Sequence, residues 1–321
     1  MALSISRKTL LVVRWAVFLA AVAFLYQRLL ADQSTYAGWS GGAGPLAKAS
    51  TWFWPAVLVL SALNWGVEAV KWRWLVAPLE PMPLRRAFAA TLAGTSAGLV
   101  TPNRTGEPVG RALFLSPGNR WKGGFAAVLG SMAQLVATLV LGLAALICWW
   151  AAPAMPRMHW EAVAVLALAV LAGGVLLLYF KPGWLRRLVR LLPLLRRLDR
   201  HAAALEAHPP ARLRGVLWLS MARYTVFWAQ YVLFLLVFTG VAWPGAVLTV
   251  PLVFLATTLV PGMVLTDLGV RGSVAVALLG HFGAAPAWVL AASFGVWAVN
   301  LALPAAVGAV ILLTARIRIR S

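Results

Sequence analysis

The chain alternates between long apolar runs and short polar segments. Six runs reach the roughly 20 apolar residues that a bilayer-spanning helix needs: about 10–30, 52–75, 123–150, 161–180, 215–240 and 286–313. Two further apolar segments, about 86–100 and 245–260, are shorter. At 1.5 Å per residue each reaches only about 22–24 Å, short of a hydrocarbon core of about 30 Å. Each ends at a proline and a polar patch, then resumes as apolar sequence, which is the pattern of a broken hairpin that enters the membrane and turns back. The expected fold is an all-α integral membrane protein, a single polytopic domain over 1–321. It has six full transmembrane helices plus two broken re-entrant hairpins, about eight spans in all.

The distribution of charge tests this count. If 86–100 were a full span with no return arm, every later loop would change sides. The loop from Lys181 to Arg214, with nine Lys and Arg, would then face outward, against the rule that basic loops stay inside. With returning hairpins, Arg7/Lys8, Lys71/Arg73/Arg85/Arg86, Arg120/Lys122, 181–214 and Arg316/Arg318/Arg320 all lie inside. The outer loops 31–50, 151–160, 241–244 and 281–285 then hold only Lys48 and Arg157.

Parity also gives each half three crossings and one hairpin, so the second half is upside down relative to the first. The stretch "LVTPNRTGEPVGR" (99–111) and the stretch "LVPGMVLTDLGVR" (259–271) share Leu, Val, an acid and an Arg at one constant offset of 160 residues. Together these observations predict inverted halves of about 1–155 and 156–321. Transporters place their sites at such repeat interfaces, on broken helices.

Composition sharpens the class. The chain is 62% hydrophobic and 11% charged, with a net charge of +20. In a soluble protein that charge would suggest nucleic acid. Here the basic residues cluster between apolar runs, the pattern of loops facing an anionic inner leaflet, and nucleic acid is not an expected partner. Cys148 is the only cysteine, and His159, His201, His208 and His281 show no ligand spacing, so neither a metal nor a cofactor is expected. The run 10–30 follows Arg7 and Lys8, contains Arg28 and lacks a small-x-small cleavage site, which reads as a retained helix. The stretch 184–198 places Trp184, Leu188, Leu191, Leu192 and Leu195 at helical spacing with Arg between them. That pattern fits an amphipathic helix on the inner leaflet or a solvated basic loop. Trp52, Trp54, Trp72, Trp74, Trp149 and Trp150 fall near predicted helix ends, where indoles favour the interface.

The two polar breaks carry the candidate chemistry. Glu107 and Arg111, and likewise Asp267 and Arg271, stand four apart, on one helix face in the favourable acid-first order. Thr105 or Glu107 can cap a new helix with Pro108 in its first turn, and Thr266 or Asp267 can cap the helix that carries Arg271. A helix N-terminus at membrane depth offers free N–H groups to an anion, so Arg104, Arg111 and Arg271 could cradle a phosphate. The alternative is a pair of ion pairs that simply satisfy each other, although charges inside a membrane usually mark a pathway or cavity. Glu107, Arg111, Asp267 and Arg271 are expected to converge in one polar cavity. Asn64, Glu68, Arg73 and Arg223 form a second tier. Glu68 with Lys71 and Arg73 reads as interfacial pairing, Arg223 as a side chain that snorkels, and Asn64, Gln134, Gln230 and Asn300 as helix bridges. Gly94-x-x-x-Gly98 allows close helix packing.

These residues resemble a known family. "TPNRTGEPVGRALFL" is similar to the Thr-Pro-x-Arg-x-Gly-Glu-x-x-x-Arg motif of the lysylphosphatidylglycerol synthase transmembrane family, also called flippase-like domain proteins. "LNWGVEAVKWRWL" resembles its Asn-Trp…Arg-Trp-Arg segment, and "DLGVRGSVAVALL" its late Gly-x-Arg-Glu segment. Gly272 stands where the family often has that Glu. The resemblance implies a multi-pass protein of the bacterial inner membrane, related to the domain that moves aminoacylated lipid across the bilayer. It also implies a stand-alone form without the soluble synthase domain, accompanying lipid- or glycan-pathway enzymes.

The first functional expectation is a lipid translocase for a phosphate-bearing lipid such as a phospholipid or polyprenyl phosphate. It would not be driven directly by ATP, since no nucleotide-binding motif occurs. The alternative is a membrane enzyme or enzyme partner in lipid or glycan modification, against which stands the lack of a nucleophile–base constellation. A scaffold for other membrane enzymes is a third possibility. The hairpin count places both termini in the cytoplasm. Cysteine labelling near each end, from the two sides of the membrane, checks this, and a periplasmic C-terminus would break the parity.

Overall fold

The computed structural model describes residues 51–101, 104–152, 161–191, 199–260 and 264–315. Its elements are helical, with no strand among the described residues. In chain order they are α1 (Phe53–Val76), α2 (Leu84–Leu99), α3 (Gly106–Ala112), a 3₁₀ turn (Pro117–Asn119), α4 (Arg120–Ala151) and α5 (Glu161–Phe180). Then come α6 (Pro182–Leu191), the single turn α7 (Asp199–Ala202), α8 (Pro210–Thr239), α9 (Trp243–Leu259), α10 (Val264–Gly280), α11 (Pro286–Trp297) and α12 (Leu303–Thr314). Prolines stand in the first turns of α9 and α11, where a missing N–H costs no helical hydrogen bond.

Among the described residues, five helical stretches are long and apolar enough to cross a membrane: Phe53–Val76, Pro117–Ala151, Ala162–Phe180, Pro210–Thr239 and Pro286–Thr314. They match five of the six long apolar runs, and the sixth, 10–30, lies outside the described residues. The two short segments are helices of 16 and 17 residues, α2 and α9, about 24–26 Å long at 1.5 Å per residue.

The chain packs as two compact units. The larger takes in 58–227 and 300–315, the smaller 51–57 and 228–299, counting described residues. In the larger unit a core of Trp72, Leu75, Leu129, Val136, Tyr179 and Leu213 joins α1, α4, α5 and α8. His208, buried before α8, has Nε2 2.8 Å from the Leu75 carbonyl. Outside the membrane helices Glu80 accepts hydrogen bonds from the Ser116 N–H (3.1 Å) and Asn119 Nδ2 (2.9 Å), joining the turn after α1 to the turn before α4. Partial burial raises the Glu80 carboxyl, but the hydrogen bonds from Ser116 and Asn119 outweigh it and hold it below its ordinary range.

α6 covers the first part of the amphipathic stretch, and 192–198 lie outside the described residues. Trp184 and Leu191 of α6 are exposed, whereas Arg186 and Arg190 turn back to Asp199, each with Nε 2.8 Å from Oδ1. Those two hydrogen bonds hold the Asp199 carboxyl down to about 2.

In the smaller unit Phe234 packs edge-on to Phe53 and stacks on Phe238, and Gly295 lies where a Cβ would strike the Phe234 ring. Tyr231 and Ser293 share a 2.5 Å hydrogen bond, and Gln230 bridges to the Val57 carbonyl at 3.2 Å.

The turn that builds the candidate site depends on glycine. α3 runs back along α2 at backbone contact: a Cβ on Gly110 would lie 2.8 Å from Gly94 Cα, and one on Gly106 would strike the Ala97 carbonyl. Gly98 faces Glu107 Cβ in the same way. On another face of α2, Gly308 of α12 sits directly against the Leu92 carbonyl. Small residues let membrane helices approach this closely, and Gly94-x-x-x-Gly98 is here met by a matching Gly106-x-x-x-Gly110. Gly110→Ala is expected to destabilise the protein by about 1–3 kcal/mol through overpacking against backbone. Gly66→Ala, whose Cβ would meet nothing within 4 Å, should stabilise it by about 0.4–1 kcal/mol. Thermal unfolding of the two variants in one detergent checks both signs.

Candidate functional site

Along α1, Asn64, Trp65, Glu68, Lys71 and Trp72 fall on one face at helical spacing, and every one of them is buried. This face is polar inside a helix apolar enough to span a membrane, so its groups need partners from other helices.

Glu68 holds the centre. Its Oε1 lies 2.7 Å from Arg111 Nη1, and its Oε2 lies 2.8 Å from Lys71 Nζ and 3.3 Å from Arg223 Nη1. Arg111 also pairs through Nη2 with Glu107 Oε1, and Glu107 Oε2 is 3.1 Å from Arg104 Nη2. Arg223 donates from Nε to Asn64 Oδ1 (3.0 Å) and from Nη1 to Gln134 Oε1 (3.4 Å). Asn64 in turn donates to Asn300 Oδ1 at 2.8 Å. The indoles close the cluster from the sides, with the Trp72 ring 5.8 Å from the Arg111 guanidinium and the Trp65 ring 5.8 Å from that of Arg223.

Each element brings its residue for a local reason. Thr105 occupies the N-cap of α3 without a capping bond, because its own φ and ψ are already helical and a cap needs an extended residue. Thr101 does that work instead, accepting the Gly106 N–H at 2.7 Å. The turn between them forces Arg104 to φ +56°, a left-handed conformation that costs a non-glycine residue energy and aims its side chain at Glu107. Asn300 sits in a wide π turn, Ala298–Ala302, between α11 and α12. Pro304 has no N–H for the carbonyl four residues back, which favours such a turn.

Arg104, Glu107, Arg111, Asn64, Glu68 and Arg223 therefore come together, and the acid-first spacing of Glu107 and Arg111 does form an ion pair. Several expectations need correction. Glu68 and Lys71, read as an interfacial pair, are 2% and 1% exposed. Arg73 takes no part, because it projects from the exposed side of α1. Arg223 does not snorkel: α8 starts at Pro210, which places Arg223 over three turns inside the helix, where it turns inward to Glu68. Trp72 and Trp149 are buried rather than interfacial, whereas Trp52, Trp54, Trp74 and Trp150 are exposed. Lys71 and the two indoles were legible as members of the site only through their shared helical face.

In the second break α10 begins at Val264, so Thr266 and Asp267 stand inside the first turn rather than at its cap. The Asp267 side chain lies outside the described residues. Arg271 is buried, its guanidinium 5.9 Å from the Phe254 ring.

Four cations, Lys71, Arg104, Arg111 and Arg223, face two carboxylates. The excess is one positive charge among the well-buried and part-buried groups, and two with the half-exposed Arg104. Arg111 Nε, Trp65 Nε1 and Trp72 Nε1 are buried donors with no acceptor among the described residues, while Glu68 Oε2 is met by charge rather than by a well-directed hydrogen bond. The unfilled capacity around the cluster is thus mainly donor capacity.

The helices and the apolar surface define a multi-pass, all-helical membrane protein with a buried charge cluster. The chain belongs to the lysylphosphatidylglycerol synthase TM region family, which matches residues 11–308. That family is a membrane domain linked to lipid biosynthesis and flippase-like roles. No curated protein and no solved structure matches the chain.

Removing the central carboxylate should leave three cations facing one another. Glu68→Gln is expected to cost about 3–5 kcal/mol, the range for breaking a buried pair on one side. Adding Lys71→Met should recover part of the loss, a coupling that a double-mutant cycle of unfolding midpoints would read.

Proposed function

We propose that the protein is a lipid translocase that moves a phosphate-bearing lipid, such as a phospholipid or polyprenyl phosphate, across the bacterial inner membrane. The observation that carries this reading is the cationic excess of the cluster. Charge in a low-dielectric interior is costly unless paired, and an anion with several acceptor oxygens would satisfy both the surplus charge and the idle donors.

In this mechanism Arg111 and Arg104 receive the phosphate as it leaves water. Arg guanidinium groups suit phosphate because they present two parallel donors. Glu107 already holds both arginines, so it competes with the phosphate and returns to them when the lipid departs. That exchange keeps binding reversible. Arg271, buried in the second hairpin with Asp267 one turn before it, takes the same part for the opposite leaflet. Both termini lie in the cytoplasm, and lipid- or glycan-pathway enzymes supply or consume the lipid.

Leaflet-resolved lipid transfer in proteoliposomes containing this protein alone tests the proposal. Arg111→Gln and Arg271→Gln should reduce transfer to the protein-free background, and the corresponding Lys variants should restore it in part. Glu107→Gln should slow turnover more than it weakens binding. Arg111→Gln protein that melts normally and transfers lipid at the unmodified rate would exclude the phosphate cradle and favour a role in assisting a lipid- or glycan-modifying enzyme.

A further inference from the structure

α3 has three distinct faces. Gly106 and Gly110 meet α2, and Glu107 and Arg111 enter the charge cluster. Pro108, Val109, Ala112 and Leu113 line a groove of about 390 Å³ whose other wall is the first part of α4. Apart from Arg120, the lining is apolar, and Trp121, an exposed indole, stands beside that arginine. Helical geometry puts the centres of the cluster face and the groove face roughly 130–150° apart on the same short helix.

Two adjacent glycines on α4 differ in what surrounds them. A Cβ on Gly123 would strike Leu115 Cδ1, so close packing accounts for that glycine. A Cβ on Gly124 would meet nothing within 4 Å. Glycine inside a helix is less favourable than alanine, and packing gives no reason for it at 124. Gly124 lines the groove, and any larger side chain there would fill it.

We propose that this groove holds one hydrocarbon chain of the anionic lipid whose phosphate enters the neighbouring cluster. The inference rests on the translocase reading and adds where the chain lies and which residue sets the width of its seat. The occupant follows from complementarity: one helix offers surplus positive charge on one face and an apolar trough on the next, and an anionic amphiphile has this division. Within a bilayer the chain gains little by leaving its neighbours, which are as apolar as the groove. The groove therefore acts through shape, fixing the chain relative to the headgroup and discriminating against bulkier chains.

The test uses the full chain in nanodiscs of an uncharged glycolipid, with hexadecyl phosphate carrying a photoreactive diazirine near its chain end. Labelled peptides are mapped by mass spectrometry. Label should concentrate on residues 121–128, and unlabelled hexadecyl phosphate should compete about tenfold better than hexadecanol. Gly124→Leu, which removes a helix-weakening glycine, whose Cβ meets no neighbour and whose outer atoms enter the groove, should fold normally and cut this labelling about tenfold. Equal competition by hexadecanol, label spread evenly over lipid-facing helices, or unchanged labelling of Gly124→Leu would each overturn the chain site. Arg111→Gln separates the two readings. If groove labelling persists with its preference for phosphate in that variant, the headgroup is not held by the cluster and the translocase mechanism fails. If Arg111-dependent phosphate binding survives without groove labelling, only the chain site falls.

Discussion

One carboxylate, Glu68, holds together the charged interior of the larger unit. Three cations from three helices converge on its two oxygens, and without it Lys71 and Arg223 would be unpaired charges in an apolar interior and Arg111 would be left with Glu107 alone. The geometry ties α1, α3 and α8 to a single point more firmly than apolar packing can, because hydrocarbon contacts between membrane helices are no better than contacts with lipid. Glu107 plays the complementary part. It is less deeply buried, it shares Arg111 with Glu68, and it reaches outward to Arg104. The network thus has a deeply buried inner carboxylate and a less buried outer one.

Glycine makes that network reachable. Arg111 can approach Glu68 only because α3 lies at backbone contact with α2, and that contact is set by Gly94, Gly106 and Gly110. Gly308 supports α2 from another side. The strained backbone at Arg104 belongs to the same turn. Strain of this kind persists where surrounding packing over-determines it, which here is the glycine contact together with the Thr101 hydroxyl bond to Gly106.

The family assignment and the cluster point in one direction by different routes. Membership rests on a match that runs through nearly the whole chain, whereas the case for phosphate rests on charge excess and idle donors. The groove beside α3 adds an apolar surface to the cationic one, the division that the lipid of the proposed translocase would have.

The sequence by itself determined the membrane class, the approximate ends of the described long helices and the two short apolar helices. These follow from runs of apolar side chains and from prolines, which act within a few residues of where they stand. It also exposed the Glu107–Arg111 pair, since a four-residue spacing is a property of one helix. Tertiary structure decided what lies around that pair. Glu68, Lys71 and Arg223 are separated from it by tens of residues or more, and sequence places them near interfaces or loops because a lone charge in a membrane helix is cheapest there. Their burial is favourable only when all of them meet at once, and Arg73, two residues from Lys71, stays exposed because it projects from the other face of α1. Which charges a membrane protein buries depends on which partners its helices bring within hydrogen-bond distance, and no single segment carries that information.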